Sequence, residues 1–542
     1  QLHMEFGSRY VCRNYDYDAI TNCLSLNLGE LVQSSSAVLI TGDPTRCENC
    51  SAVFNKESST QDDTWDCEFC SHSQETMLEE EELPKTSHSE FYMSPPPKEK
   101  EEVTTDENSD ALVLFVVDIS GSMSVTTQVG KKYVSRLQCV QKAIQSQLDY
   151  MRKETPKKRV GFITFSSKVT VYGNNTLTVK ELDDYATLLE QAENINIEDS
   201  IDASYDLLKK QLESFEEGGS TALGPAITIA MVTASRQPGS KVFVCTDGLA
   251  NMGVGTLKGD HNINQAFYDG QIGQYAKRHG VEFNVISIEG SNTRLEYLGM
   301  LADVTGGSVA LTGATDLDFG SMARRVILGT NATVTVVCHK SIKPINYEDS
   351  KGAGGSKSNV LKIEVGNIAT DTERTVEFAL AKGVEVPNKI PFQVIIEFTR
   401  LNGVKILKSI TKVIKASDSE TKVLAKANIM ITSANVGQQC ARLAKAGKYE
   451  EAKEKATVAR DVLKTHCKTT EQIALFHIFE ETYAQVVGSI DAEIEREKQQ
   501  AIDADKMSTL DRLEYRAMNR TDNTAKMVYG MKSANKQACS VM

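Results

Sequence analysis

Leu112-Val113-Leu114-Phe115-Val116-Val117-Asp118-Ile119-Ser120-Gly121-Ser122 is the stretch whose reading decides the fold. Six consecutive apolar residues without alternation mark a strand buried on both faces. The run ends in three oxygen-bearing side chains, Asp118, Ser120 and Ser122, with Gly121 permitting a tight path between them. Downstream, Leu137, Val140, Ile144, Leu148 and Met151 recur at three- and four-residue spacing, the stripe of an amphipathic helix. Further strands are expected at 160–165, 169–172, 241–246, 281–288 and 308–311. Helices are expected at 201–214, 223–235, 266–279 and 317–328, with Gly280 stopping the third. Such alternation implies an α/β doubly wound domain over 110–329, a mostly parallel sheet covered by helices on both faces.

In a doubly wound sheet, ligands collect beyond the carboxyl ends of the strands. Two more segments bring oxygen donors there. Gly218-Gly219-Ser220-Thr221-Ala222-Leu223-Gly224 precedes a helix, and Val242-Phe243-Val244-Cys245-Thr246-Asp247-Gly248 is a strand ending in Asp-Gly. Hard oxygen donors suit Mg²⁺ or Mn²⁺ rather than Zn²⁺. A lone DxSxS is equally the pattern of a loop with helix-capping serines; three segments in order within one domain carry the metal reading. Together they resemble the metal-ion-dependent adhesion site of von Willebrand factor A (vWA) domains, in its DxSxS…T…D form. The resemblance implies direct coordination by Ser120 and Ser122, and by Thr221 when the site is engaged, with Asp118 and Asp247 acting through bound water. One position then stays open for a carboxylate of a partner protein. The Asp118-to-Thr221 spacing is long for that family, which implies an added loop or helix between 173 and 217.

Cys47-x2-Cys50 and Cys67-x2-Cys70 are separated by sixteen residues. Four thiolates at this spacing form a closed tetrahedral Zn²⁺ site with no position for water, so a zinc ribbon over 46–71 is structural. A RING-type ligase fits poorly, because only His72 and His88 are near enough to serve a second metal. Arg46-Cys47-x2-Cys50 and Trp65-Asp66-Cys67-x2-Cys70 resemble the zinc finger of the COPII inner-coat subunits. In that family, residues before the finger add strands to a β-sandwich, a role open to 9–45. The adhesion-site residues are present here, whereas coat subunits generally lost theirs, and no gelsolin-like module follows. The zinc-ribbon and vWA part of circularly permuted Ras proteins is a closer resemblance, over most of 45–420. There is no GxxxxGK[ST] phosphate loop, so no GTPase activity is expected of this stretch.

The remaining chain falls into distinct compositions. Residues 72–109, with Glu79 to Glu82 and Pro95 to Pro97, read as a disordered acidic linker. Alternating runs at 333–337, 360–365 and 392–398 predict an antiparallel β-sandwich over 330–417. Helical periodicity covers 418–500, with a bend at 444–452, and 501–542 reads as a loose tail with one helix near 507–519. His3-Met4, Glu5-Phe6 and Gly7-Ser8 are dipeptides that common restriction sites encode, so 1–8 read as a vector scar, with a native start at Met4 as the alternative. A scar would make the chain a fragment missing an N-terminal domain. Cys539-Ser540-Val541-Met542 has the form of a CaaX box, with Met542 favouring a farnesyl group on Cys539.

Of 542 residues, 60 are basic and 73 acidic, a net charge of -13 that opposes a general phosphate-binding surface; no nucleic-acid partner is expected. No apolar run approaches the ~20 residues of a membrane span. The twelve cysteines divide into the two CxxC pairs and residues such as Cys139, Cys245 and Cys440 inside apolar segments, the pattern of a reduced, cytoplasmic protein. No HExxH or GxSxG is present, and no enzyme is expected. The expected function is a cytosolic scaffold that binds a partner's Asp or Glu through Mg²⁺, with a farnesyl group as its membrane contact. The alternatives are a coat- or trafficking-type scaffold in which the metal is incidental, or a fragment of a circularly permuted Ras-type GTPase lacking its GTPase domain.

Overall fold

The Leu112–Asp118 strand is buried at every residue and lies at the centre of a seven-stranded sheet. In spatial order the strands are Thr176–Val179, Val169–Tyr172, Arg159–Phe165, Leu112–Asp118, Lys241–Thr246, Glu282–Ile288 and Val309–Thr312. The last five run parallel, and the first two form an antiparallel edge. The alternation of the central strand divides two cores. Leu112, Leu114 and Val116 pack with the Leu223–Ala234 helix; Val113, Phe115 and Val117 pack with the Arg136–Glu154 helix. From the central strand the chain moves to one side, at Arg159–Phe165, and returns on the other at Lys241–Thr246. That reversal opens a crevice where Asp118 and Asp247 emerge.

The structure is a computed structural model that describes residues 4–14, 19–33, 39–79, 83–93, 111–173, 175–257, 260–288, 294–345, 359–504, 525 and 527–529. Cys539 and the helix expected near 507–519 lie outside the described residues. Among the described residues, no helix is long and apolar enough to cross a membrane. Helices Tyr185–Glu193 and Ile201–Glu213 occupy the stretch between 173 and 217.

Two sheets enclose a third core. One contains Val360–Ala369, Ile327–Cys338, Lys389–Thr399, Lys405–Ser417, His88–Tyr92, Leu39–Thr41 and Tyr10–Cys12; the other contains Met4–Phe6, Cys23–Asn27, Glu373–Leu380 and Ile342–Ile345. Pairing is antiparallel except where Tyr10–Cys12 and Leu39–Thr41 join in parallel. Helices Ile429–Lys445, Tyr449–His466 and Thr470–Ala504 pack around a fourth core. The first of them is tied to the sheet where Gln438 Oε1 accepts from the Thr375 hydroxyl at 2.9 Å.

Three expectations need correction. The stretch assigned to a linker contains the Ser73–Glu75 and His88–Tyr92 strands. Its charge misleads because Glu90 is buried against Arg400 at 2.9 Å and Lys408 at 3.3 Å. Whatever the origin of residues 1–8, Met4–Phe6 form a strand with Met4 and Phe6 in the core, and the Ser8 hydroxyl donates to the Val423 carbonyl at 2.7 Å. The helix expected at 317–328 is only Gly320–Ala323, since alternation draws Ile327 into the next strand. In the tail, Ala525 and Tyr529 are buried against the core beside the central strand, and Met527 and Val528 against the core of the C-terminal helices, rather than loose.

Candidate functional site

The first site is built where the loop after the central strand meets those entering and leaving its neighbours. The Gly218 amide donates to the Ile119 carbonyl at 2.8 Å, and the Gly121 amide to the Gly219 carbonyl at 3.1 Å. These bonds draw the Thr221 loop over DxSxS. Gly219 is required there: its φ is +88°, and a Cβ would lie 2.6 Å from the Ser167 hydroxyl. The Thr221 amide donates to Asn251 Oδ1 at 2.9 Å, which fixes Thr221 against the loop following Asp247.

All five residues expected from the sequence lie in this crevice. Asp118 and Asp247 are fully buried, Ser120 and Thr221 nearly so, and Ser122 is partly open. Asp118 Oδ1 accepts from the Ser120 amide at 2.8 Å, and its Oδ2 from the Thr246 hydroxyl at 2.6 Å. The Ser120 and Ser122 hydroxyl oxygens are 3.1 Å apart, and Ser122 donates to Asp247 Oδ1 at 2.5 Å. A Cβ at Gly248 would stand 3.3 Å from Ser122 Oγ, 3.4 Å from Thr221 Oγ1 and 3.5 Å from Asp118 Oδ2. Three side chains from two segments far apart in sequence thus converge on one point. Burial pushes the Asp118 carboxyl up to about 6, opposed by the hydrogen bonds from Ser120 and Thr246; the nearby Asp247 carboxylate adds to the rise.

The donor set fits a small hard cation. Two cis ligands at the ~2.05 Å of Mg²⁺ octahedra stand about 2.9 Å apart, close to the separation of the serine hydroxyls. Sequence reading missed three contributors. Thr246 orients Asp118, Gly248 leaves the central space, and Arg136 forms an ion pair with Asp247 Oδ2 at 2.5 Å. Thr246 was signalled by its place beside Asp247 at a strand end. Arg136 carried no signal, since 111 residues separate it from its partner.

The second site is the cysteine cluster. Cys47, Cys50, Cys67 and Cys70 Sγ atoms all lie within 4.8 Å of one another, with Cys47–Cys70 at 3.6 Å and Cys50–Cys67 at 3.5 Å. A tetrahedron of ~2.3 Å Zn–S bonds places sulfurs about 3.8 Å apart, so the cluster could bind zinc with little adjustment. The two halves mirror each other: the Ser51 amide closes on the Cys47 carbonyl and the Ser71 amide on the Cys67 carbonyl, both at 2.8 Å. Trp65 stacks edge-on to Phe54 beneath the cluster. The Gln393 side-chain amide brackets Val53, accepting from its N–H at 2.7 Å and donating to its carbonyl at 2.8 Å. The ribbon is thereby fastened to the sheet.

Comparison with known proteins supports this architecture. Residues 108–313 match the Sec23/Sec24 trunk domain family. Circularly permutated Ras protein 1 of Dictyostelium discoideum is 29% identical over 500 residues, covering 85% of this chain and 58% of that protein. The chain therefore spans well under two thirds of this relative's length. The human COPII-coat protein Sec24c superposes with a TM-score of 0.55 at 15% identity, over 90% of this chain and 71% of that one. A von Willebrand factor type A protein from Catenulispora acidiphila superposes at 0.42 and 13% identity, over 68% and 82%. Residues 108–313 thus match a trunk-domain family, and the multidomain fold of the chain resembles that of Sec24c.

Proposed function

We propose that this chain is a cytoplasmic protein-binding scaffold whose trunk domain captures a partner's Asp or Glu through Mg²⁺ or Mn²⁺. The carrying observation is the convergence of Asp118, Ser122 and Thr221 oxygens on the space above Gly248. Ser120 and Ser122 would hold the ion directly, Thr221 would join when a ligand engages, and Asp118 and Asp247 would act through water. A bound cation supplies one coordination position that a carboxylate can take. Neutral hydroxyls in the inner set leave the charge only partly offset, which favours an anionic ligand. Beside the crevice, the Thr126–Val129 and Lys132–Ser135 hairpin offers exposed Val129 and Tyr133 as apolar contact surface.

Pulldown from lysate with and without Mg²⁺ tests the reading. Asp118→Ala should lose the Mg²⁺-dependent captures. Capture that persists in chelator, or that Asp118→Ala leaves unchanged, would favour a coat-type scaffold with an incidental metal. The Sec24-like arrangement over 90% of the chain supports that second reading.

Zn²⁺ held by Cys47, Cys50, Cys67 and Cys70 would be structural. The Dictyostelium relative bears the Ras name, yet nucleotide hydrolysis is not proposed for this stretch, which has no phosphate loop. A farnesyl group on Cys539 would bring the scaffold to a membrane surface; the intact mass of protein from a eukaryotic host reads its presence.

A further inference from the structure

We propose that Arg136 is a built-in counter-cation that makes divalent-ion occupancy of the trunk site depend on a bound carboxylate. The inference rests on the metal reading of Asp118, Ser120, Ser122, Thr221 and Asp247.

Asp118 and Asp247 are fully buried carboxylates on adjacent strand ends. Charges so placed require compensation. Arg136 provides it from a fixed position. It is the first residue of the Arg136–Glu154 helix, whose cap is Ser135 with a reciprocal Gln138 bond. Its own amide donates to the Val125 carbonyl at 2.9 Å, three residues after Ser122. The Arg136 side chain is 13% exposed and the Asp247 side chain 0%. Both Asp247 oxygens are committed, Oδ1 to Ser122 and Oδ2 to Arg136. Glu217 accepts from the hydroxyl of Ser135, the residue before Arg136.

The charges then decide the behaviour. Among Asp118, Asp247 and Arg136 alone, two carboxylates ionised at pH 8 and one guanidinium sum to a charge of minus one. A divalent ion makes it plus one, and a carboxylate ligand returns it to zero. Without Arg136 the loaded site is already neutral, and a carboxylate would make it negative. Arg136 therefore weakens the attraction for the ion alone and strengthens the attraction of the loaded site for an anion. By linkage, ion and carboxylate raise each other's affinity by the same factor, so the partner recruits the ion as much as the ion recruits the partner.

The experiment is Mn²⁺ titration of the full chain at pH 8, by calorimetry and Mn²⁺ spin resonance, with and without acetate as the carboxylate probe. Arg136→Gln should bind Mn²⁺ alone at least about tenfold tighter than the wild type, on the scale of one close charge pair. Acetate should tighten Mn²⁺ several-fold in the wild type and have little effect in the variant. Arg136→Lys, which keeps the charge, should behave as the wild type, and matching thermal melts check that the variants fold. If Arg136→Gln binds Mn²⁺ as weakly as the wild type or more weakly, Arg136 only orients Asp247 and the inference is overturned. If neither protein binds Mn²⁺, the metal reading itself fails and the inference falls with it.

Discussion

At the scale of single residues, the site rests on an omission as much as on its ligands. Gly248 matters because its missing Cβ would stand within 3.5 Å of Ser122, Thr221 and Asp118 oxygens. Gly248→Ala should leave the strand and its partners folded, since the added methyl meets side-chain atoms of the crevice rather than backbone. It would, however, occupy the space around which those oxygens gather. Contacts of 3.3–3.5 Å are close to ordinary van der Waals distance, so the melting temperature should change little, whereas Mn²⁺ affinity should fall about tenfold or more, or ~1.4 kcal/mol. An unchanged Mn²⁺ isotherm for Gly248→Ala would mean that the ion does not sit there. The sequence made Asp118, Ser120 and Ser122 legible because they are local to one strand end. It hid Arg136, whose role exists only once two distant segments are adjacent.

At the scale of elements, legibility followed how locally each one is stabilised. The Leu112–Asp118 and Lys241–Thr246 strands are apolar throughout, and burial on both faces demands that pattern. The Leu295–Thr305 helix went unanticipated because Gly299 at its centre is a poor helix residue. The reason for glycine lies 230 residues away: a Cβ there would lie 2.0 Å from the Tyr529 hydroxyl. His88–Tyr92 was hidden similarly, by a buried Glu90 whose partners are Arg400 and Lys408. Among the described residues, the hairpin over 126–135 pairs with no other strand; it projects beside the site, with Tyr133 72% exposed. An exposed tyrosine next to a ligand crevice is the residue type that anchors interfaces. Tyr133→Ala should weaken Mg²⁺-dependent partner binding by about 1–2 kcal/mol, roughly tenfold, and leave the Mn²⁺ isotherm unaltered. Partner affinity equal to the wild type would remove the hairpin from the binding surface.

At the scale of the whole molecule, the question is what fastens the helical bundle to the trunk domain. The described tail residues divide between the two. Ala525 and Tyr529 join the trunk core, while Met527 and Val528 join the core of the bundle. Tyr529 lies over the Gly299 backbone, and its hydroxyl donates to Asp303 Oδ2 at 3.1 Å. Most of its contribution should therefore come from the buried ring, with the hydrogen bond a smaller part. Removing a buried aromatic costs about 3–5 kcal/mol, whereas one hydrogen bond is worth about 1 kcal/mol. Calorimetry should show Tyr529→Ala lowering the trunk transition by several degrees, and Tyr529→Phe lowering it far less. Tyr529→Ala should also separate the trunk and bundle transitions, because the segment that joins their cores no longer fills the trunk side. If Tyr529→Ala melts as the wild type does, the tail only rests on the surface and the bundle is held by its contacts with the sheets alone.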